Sequence, residues 1–441
     1  MTELADDAPP SPPDSRAVWR RMVQSFVALG TGEAVARLLG FAATVVMARR
    51  LGPSGYGVVT VGLTLVAWFA IVVNAGTETL NVRDIARSPE RFRELVDRVL
   101  GLRITLAVIS ATIFALGALA LAPSPLTRAV YVRFALVLLP IALNVRWMVL
   151  GVGGAPAVAA GIVASRLVFL CGVVLLVMAP ADTVRVPYLE AVGEAIYAIV
   201  ILALLTRRFG FARPRVDLPA WRETLRHSLP LMVNALALAA VLGFDVVVIE
   251  VVLGPARLGV YGAALKPVLF LLGSLGLLSV SFLASYSAAH GAAAEALFVR
   301  TARTVTGLML AAAVLLTAAA IPLVDLLYGR RYHASGPLLA TVAWAVPFAG
   351  LSLPYASTLI AGHHQRRLAR NNIVTAGFTI AADLVAVPVL GLHGAAAVRV
   401  ASAAVALTLN ARAAVSLGLA PPPRQVLLRR PPRRAQASQG G

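Results

Sequence analysis

The sequence is short of charge, and two reactive residue types are nearly missing. Charged residues occupy 13% of its 441 positions, about half the roughly 25% of a soluble domain. Cysteine occurs once, at Cys171, which excludes an intramolecular disulfide framework and any metal site built from several thiolates. Lysine also occurs once, at Lys266, with Pro267 after it. A phosphate-cradling nucleotide loop needs Gly-Lys followed by Ser or Thr, so ATP hydrolysis by this chain is disfavoured. The six histidines, His227, His290, His333, His363, His364 and His393, show no metal-ligand spacing. No catalytic residue, metal or cofactor is therefore expected. Residues 1–15 are acidic and Pro-rich without a positive leader, so no cleavable signal is expected.

Apolar sequence is abundant. Hydrophobic types reach 59% and mean hydropathy is +0.83. A membrane-spanning helix needs about 20 apolar residues. Twelve such runs lie at roughly 23–47, 56–79, 104–122, 130–151, 157–179, 187–206, 229–252, 259–286, 304–327, 336–361, 372–390 and 393–414. Barrel strands would alternate over about ten residues, and these runs do not. The expected fold is an all-α polytopic membrane protein of about twelve transmembrane helices.

Net charge is +19, from 39 basic residues (38 of them Arg) against 20 acids. In a soluble protein that excess would suggest nucleic acid. Here it points to loops facing anionic lipid on the cytoplasmic side, with no nucleic-acid partner. With the N-terminus inside, cytoplasmic segments hold 25 basic residues, the opposite loops 7, and the spans the remaining 7. That bias places both termini in the cytoplasm and the chain in the plasma or inner membrane, among membrane lipids.

An internal repeat divides the chain. Leu51-Gly52-Pro53 recurs as Leu253-Gly254-Pro255, 202 residues on, and a Gly/Tyr cluster follows each: Gly55-Tyr56-Gly57, then Gly259-Val260-Tyr261-Gly262. Each copy follows the first span of its half. The expected organisation is a disordered cytoplasmic head (1–22), a six-helix lobe (23–206), a basic cytoplasmic linker (207–228), a second six-helix lobe (229–414) and a disordered basic tail (415–441). Halves with even numbers of spans share orientation, so the lobes would be related by a pseudo-two-fold along the membrane normal. Within 88–100, Ser88-Pro89 reads as a helix start. Phe92, Leu95, Val96, Val99 and Leu100 then form one apolar face, the pattern of a helix lying at the membrane interface.

The run Ala36-Arg37-Leu38-Leu39-Gly40, continuing through Ala48-Arg49-Arg50-Leu51-Gly52-Pro53-Ser54-Gly55-Tyr56-Gly57, resembles the opening signature of polysaccharide-biosynthesis flippases. These belong to the multidrug/oligosaccharidyl-lipid/polysaccharide exporter superfamily. Val82-Arg83-Asp84-Ile85-Ala86-Arg87 resembles their first cytoplasmic loop, and Asp245 with Gly259 to Lys266 the start of their second lobe. Tyr328-Gly329-Arg330-Arg331-Tyr332 and Gly391-Leu392-His393-Gly394-Ala395-Ala396-Ala397 resemble later landmarks. The resemblance spans about residues 20–415 and implies a transporter that moves polyprenyl-diphosphate-linked oligosaccharide to the outer leaflet. Asp383 and Arg399 depart from it, standing where the family pattern is neutral.

Each mid-membrane charge costs about 2.5–3.5 kcal/mol on insertion scales and needs a reason. Asp245 lies eight residues before Leu253 and Lys266 eight after Leu258; Asp383 lies eight before Gly391 and Arg399 seven after Leu392. All four fall roughly 12 Å below the outer helix ends. Equal depth on adjacent helices predicts the pairs Asp245–Lys266 and Asp383–Arg399, which are structural by preference, with proton or sodium coupling as the alternative. In the first half Glu33 and Arg37 are spaced to pair locally. Arginine offers bidentate contacts to phosphate oxygens, so Arg37, Arg146 and Arg166 are the candidates to receive a diphosphate. Snorkelling to the inner surface is the alternative for Arg146.

The function expected from this reading is alternating-access flipping of a lipid-linked oligosaccharide, not enzymatic chemistry. A cation-coupled multidrug antiporter of the same superfamily is the rival and should show net acidic spans in its binding lobe. A membrane enzyme of glycan assembly is disfavoured, because the loops between spans are too short for a large extramembrane site.

Overall fold

The computed structural model describes residues 15–76, 92–151, 153–210, 213–288 and 291–428. Every regular element among them is helical. In chain order these are α1 (Ser15–Asn74), α2 (Phe92–Leu121), α3 (Pro125–Ala135), α4 (Leu138–Leu143), α5 (Arg146–Gly151), α6 (Ala155–Leu176) and α7 (Val186–Phe209). The second half holds α8 (Leu218–Leu253), α9 (Pro255–Ala288), α10 (Gly291–Ala318), α11 (Ala320–Tyr328), α12 (Ser335–Val342), α13 (Ala345–Ala361), α14 (Gln365–Ser416) and the short α15 (Pro423–Leu428).

Ten runs among the described residues are long and apolar enough to cross a membrane. Two of them, of 48 and 52 residues, would exceed twice a bilayer core of about 30 Å if straight, at about 1.5 Å per residue. They are not straight. Gly52 (φ 69°, ψ 176°) breaks α1 and Gly391 (φ 62°, ψ −140°) breaks α14, so each run holds two helices. Both glycines have a left-handed φ that a Cβ would strain.

Three spans expected to be single helices, 130–151, 304–327 and 336–361, are interrupted instead. The gaps fall at 136–137, 144–145, 319 and 343–344; all but 144–145 lie three or four residues ahead of Pro140, Pro322 or Pro347. Proline offers no N–H to the carbonyl four residues back, and its ring crowds that carbonyl. Pro230, Pro267, Pro354 and Pro388 sit inside α8, α9, α13 and α14 without ending them.

The interfacial helix expected at 88–100 is also different. Residues 88–91 and the motif at 82–87 lie outside the described residues. From Phe92 the chain is simply the start of α2. Val96, Val99 and Leu100 are buried against Trp147, Met148, Tyr197, Ile201 and Leu205, not turned to lipid. The linker between the halves is docked on the same turn. Asp97 accepts backbone N–H bonds from Arg213 (2.7 Å) and Arg215 (3.0 Å), Arg98 pairs with Asp217 at 3.3 Å, and Trp221 Nε1 donates to the Arg98 carbonyl at 3.2 Å. A side chain at Gly101 would collide with the backbone of Arg215.

Helix α1 is the element the two halves share. It packs on α6 in its own half and on α8 and α9 in the other. Trp68 stacks on Phe244 at 6.5 Å and Phe41 meets Phe270 at 5.4 Å. At the turn end the repeated motifs touch each other. A side chain on Gly57 would collide with the Pro255 carbonyl, and one on Gly259 with the Pro53 carbonyl. Gly57 and Gly259, like Pro53 and Pro255, are 202 residues apart, so the contact between the repeated motifs is reciprocal. Gly254 repeats the backbone of Gly52, at φ 83° and ψ 169°.

Polar contacts tighten this face. Tyr332 donates its hydroxyl to the Ala48 carbonyl (2.8 Å) and Ser335 to Val260 (2.6 Å). Arg49 donates to the carbonyls of Leu326 and Leu327 at the end of α11 in the second half. Arg50 donates to Val174 (2.6 Å) and Val177 (2.9 Å) at the end of α6 in the first. Adjacent arginines thus cap two helix C-termini, one in each half, where unsatisfied carbonyls and the helix dipole favour a cation. Gly57→Ala and Gly259→Ala are each expected to pry this face open. In a Cys171→Ala background, a cysteine replacing the buried Leu51 should react several-fold faster with an aqueous maleimide once either change is added. Unaltered labelling would show that the glycine contact does not hold the halves together.

Candidate substrate cavity

A cavity of about 490 Å³ lies among α1, the α4–α5 break, α6, α7 and α9. Helical spacing brings its walls together. From α1 come Glu33, Arg37, Phe41 and Thr44; from α6, Ser165, Arg166 and Phe169; from α7, Glu190, Glu194 and Tyr197. Apart from the adjacent Ser165 and Arg166, these fall three or four residues apart, on one face of each helix. The break ahead of α5 admits Asn144 and Arg146 to the wall, and α9 contributes Lys266, Leu269 and Phe270 from the other half.

Four cations therefore face three carboxylates. Arg166 donates to Glu190 and to Glu194, each at 2.8 Å. Glu33 is shared, 3.5 Å from Arg146 and 3.9 Å from Arg37. The Arg37 guanidinium lies against Gly273 of α9, so it too reaches across the junction. The structure brings Arg37, Arg146 and Arg166 to one space. It also answers how Arg166 is tolerated in the membrane, through the two glutamates one turn apart on α7. Arg146 lines the cavity.

The other expected pairings differ. Asp245 does not pair with Lys266, nor Asp383 with Arg399. Asp245 Oδ2 instead accepts from Arg399 Nη2 and from the Tyr261 hydroxyl, both at 2.5 Å. Arg399 also donates to the carbonyls of Val241 (2.8 Å) and Leu242 (3.1 Å) on α8. Adjacency in sequence is a poor guide here, because α14 packs on α8 and Arg399 thereby meets Asp245 rather than its hairpin neighbour. Lys266 is left to the cavity. Asp383 is fully buried, and neither of its carboxylate oxygens has a hydrogen-bond partner among the described residues.

One further buried cation escapes the sequence reading. Arg103, counted there as a loop residue, is 1% exposed within α2 and donates to Asn74 Oδ1 and to the Ile141 carbonyl (3.2 Å). Glu250 accepts from the Tyr131 hydroxyl at 3.2 Å across the halves. The signal for Arg103 was the apolar periodicity continuing on both sides of it.

Neutralising Glu190 and Glu194 together would change the formal charge of the cavity wall from +1 to +3. The double variant Glu190→Gln, Glu194→Gln is expected to bind inorganic diphosphate about tenfold tighter in calorimetry, an added 1.4 kcal/mol. Equal binding by parent and variant would mean that anions do not reach Arg166.

With this geometry in hand, the chain can be set beside known proteins. It superposes on the lipid II flippase MurJ in an inward closed conformation with a TM-score of 0.72 at 12% identity, over 90% of this chain and 88% of that one. An inward-facing multidrug resistance MATE family transporter of the MOP superfamily gives 0.66 at 15% identity, over 86% and 96%. A MOP superfamily transporter from Pyrococcus furiosus, described for the reverse polarity of its binding pocket, gives 0.59 at 14%, over 89% and 94%. No curated protein sequence matches the chain. At such identities the likeness establishes the fold, that of the two-lobed MOP-superfamily transporters. The family described as polysaccharide biosynthesis protein matches residues 22–282, well over half the chain, and this protein belongs to it.

Proposed function

We propose that the protein flips a polyprenyl-diphosphate-linked oligosaccharide from the cytoplasmic to the outer leaflet of the cell membrane by alternating access. The observation that carries this reading is the cavity wall, where Arg37, Arg146, Arg166 and Lys266 outnumber Glu33, Glu190 and Glu194. A diphosphate head needs fixed cations, and guanidinium groups match its oxygens in pairs. The glutamates hold the arginines in place while the site is empty and give way to the incoming anion. In this reading the lobes are residues 23–206 and 229–414, both termini are cytoplasmic, and the closed Gly57–Pro255 face is the outer one. The lipid tail stays in the bilayer while the head group crosses.

Movement in one direction requires a difference in free energy between the two states. An inside-negative potential assists an outgoing anion by about 2.3 kcal/mol per charge per 100 mV. Ion coupling, with Asp245, Lys266, Asp383 and Arg399 as its candidates, would add to this.

The test is leaflet accessibility of a diphosphate-linked glycolipid in proteoliposomes. The parent should move it, and Arg37→Ala, Arg146→Ala and Arg166→Ala combined should reduce the rate at least about a hundredfold, the loss of roughly 2.7 kcal/mol of charge-assisted contact. Undiminished movement by the triple variant would remove the site assignment. Exchange of an organic cation with no glycolipid movement would favour an antiporter.

A further inference from the structure

A second hollow, of about 620 Å³, opens on the back of the first half. It forms where α3 breaks into α4 ahead of Pro140 and leaves a step against α2 and α7. Helix α7 is the wall it shares with the substrate cavity. Tyr188, Ala191, Val192 and Ala195 face the hollow, while Glu190, Glu194 and Tyr197 face the cavity. At about 100° per residue the two sets fall on opposite sides of α7. Apart from the Tyr188 hydroxyl, every side chain lining the hollow is hydrocarbon. Leu139, Tyr188 and Val192 are 41%, 48% and 49% exposed, so the hollow is a trough open to the outside of the helix bundle.

A cation stands at one end of it. Arg133 of α3 turns its guanidinium back along the helix, donating through Nη1 to the Ala129 carbonyl (2.7 Å) and through Nε to the Tyr188 hydroxyl (3.0 Å). The guanidinium carbon lies 5.8 Å from the centre of the Tyr188 ring. These contacts fix the charge over the first turn of α7. They do not neutralise it, because no carboxylate pairs with Arg133 among the described residues. This end of the trough is that of the closed face. Arg50 donates to Val177 at the end of α6, and a side chain on Gly55 would meet Thr183 between α6 and α7.

A cation without a counter-ion needs an anion when it sits in a membrane-spanning bundle. A phospholipid brings both parts that the trough calls for, a phosphate oxygen for the guanidinium and a chain for the apolar walls. A lipid of net negative charge fits best, because a zwitterionic head carries its own cation to compete with Arg133. The transported lipid fits poorly. With its head among Arg37, Arg146 and Arg166, its tail would have to cross α7 to reach the trough.

We propose that the trough is a binding site for an anionic phospholipid of the leaflet on the closed-face side, with the phosphate on Arg133 and one acyl chain against Ala191 and Val192. The site does not depend on what the cavity carries.

Native mass spectrometry of the full chain in detergent, titrated with dioleoyl phosphatidylglycerol or dioleoyl phosphatidylcholine, reads bound lipid and oligomeric state together. The parent is expected to retain phosphatidylglycerol at a lower lipid concentration than phosphatidylcholine. Arg133→Gln should weaken the phosphatidylglycerol adduct about fivefold, the contribution of one basic residue at an anionic surface, and Arg133→Lys should restore most of it. Phosphatidylglycerol with a photoreactive diazirine in its acyl chain should label peptides of α4 and α7. Val192→Trp, a change at an exposed position that leaves the core intact, should cut that labelling several-fold. Equal retention of both lipids by the parent and by Arg133→Gln overturns the proposal, as does labelling confined to other helices. Displacement of the label by a polyprenyl phosphate but not by unlabelled phosphatidylglycerol overturns it in favour of the transported lipid's tail, and a dimer that excludes the lipid overturns it in favour of a second copy. None of these readouts involves flipping, so the flippase reading and the lipid site fall separately.

Discussion

A charge within a bilayer must be paired, hydrated or carried for a purpose, and the structure is organised around that constraint. An isolated ion in hydrocarbon costs several kcal/mol even by lenient measures. The chain spends few charged residues, 13% of its length, and most of those described in its interior fall in two groups, with Arg103 and Glu250 held separately. In the first half, cations line a cavity and carboxylates on neighbouring helices hold them. In the second, a single guanidinium binds Asp245 and two backbone carbonyls, while a second acid stands beside it without a bond. The first group lines a cavity, and the second is buried.

Helix α1 joins that constraint to the packing of the two halves. Its cavity face carries Glu33 and Arg37, its break at Gly52 forms the turn, and its arginines at 49 and 50 cap helices of opposite halves. Separating the halves at that face would expose carbonyls at the end of α11, which lose their cation. It would also free Gly57 and Gly259 from each other's proline. The closed face joins backbone proximity and a few directed bonds to a buried apolar cluster that includes Leu51 and Tyr56 of one half and Leu258 and Tyr261 of the other. By itself an apolar seal would be a weak latch in lipid, where apolar surface gains little by turning inward.

Much of the fold was legible. Hydropathy located the spans, and the repeated Leu-Gly-Pro located the turns at Gly52 and Gly254. The interruptions before Pro140, Pro322 and Pro347 could have been placed from the carbonyl that each proline leaves without a donor. Four other prolines caused no break, so sequence alone did not say which would. The candidate cavity was legible in part. Arg37, Arg146 and Arg166 converge because each faces inward at a compatible depth. Lys266 was misassigned because its neighbour was taken from sequence order. Which helix packs on which is a tertiary fact, and it decided that Arg399 would find Asp245.

The departure at Asp383 and Arg399 acquires a physical meaning from that packing. A neutral pair at these positions would leave Asp245 with only the Tyr261 hydroxyl as its side-chain donor. Arg399 alone would satisfy Asp245 and leave the hairpin with no titratable group. Together they make a three-member set in which one guanidinium has two possible acceptors on different helices, α8 and α14. The arrangement seen, with Arg399 on Asp245 and Asp383 unbonded, is the one in which α8 and α14 are fastened.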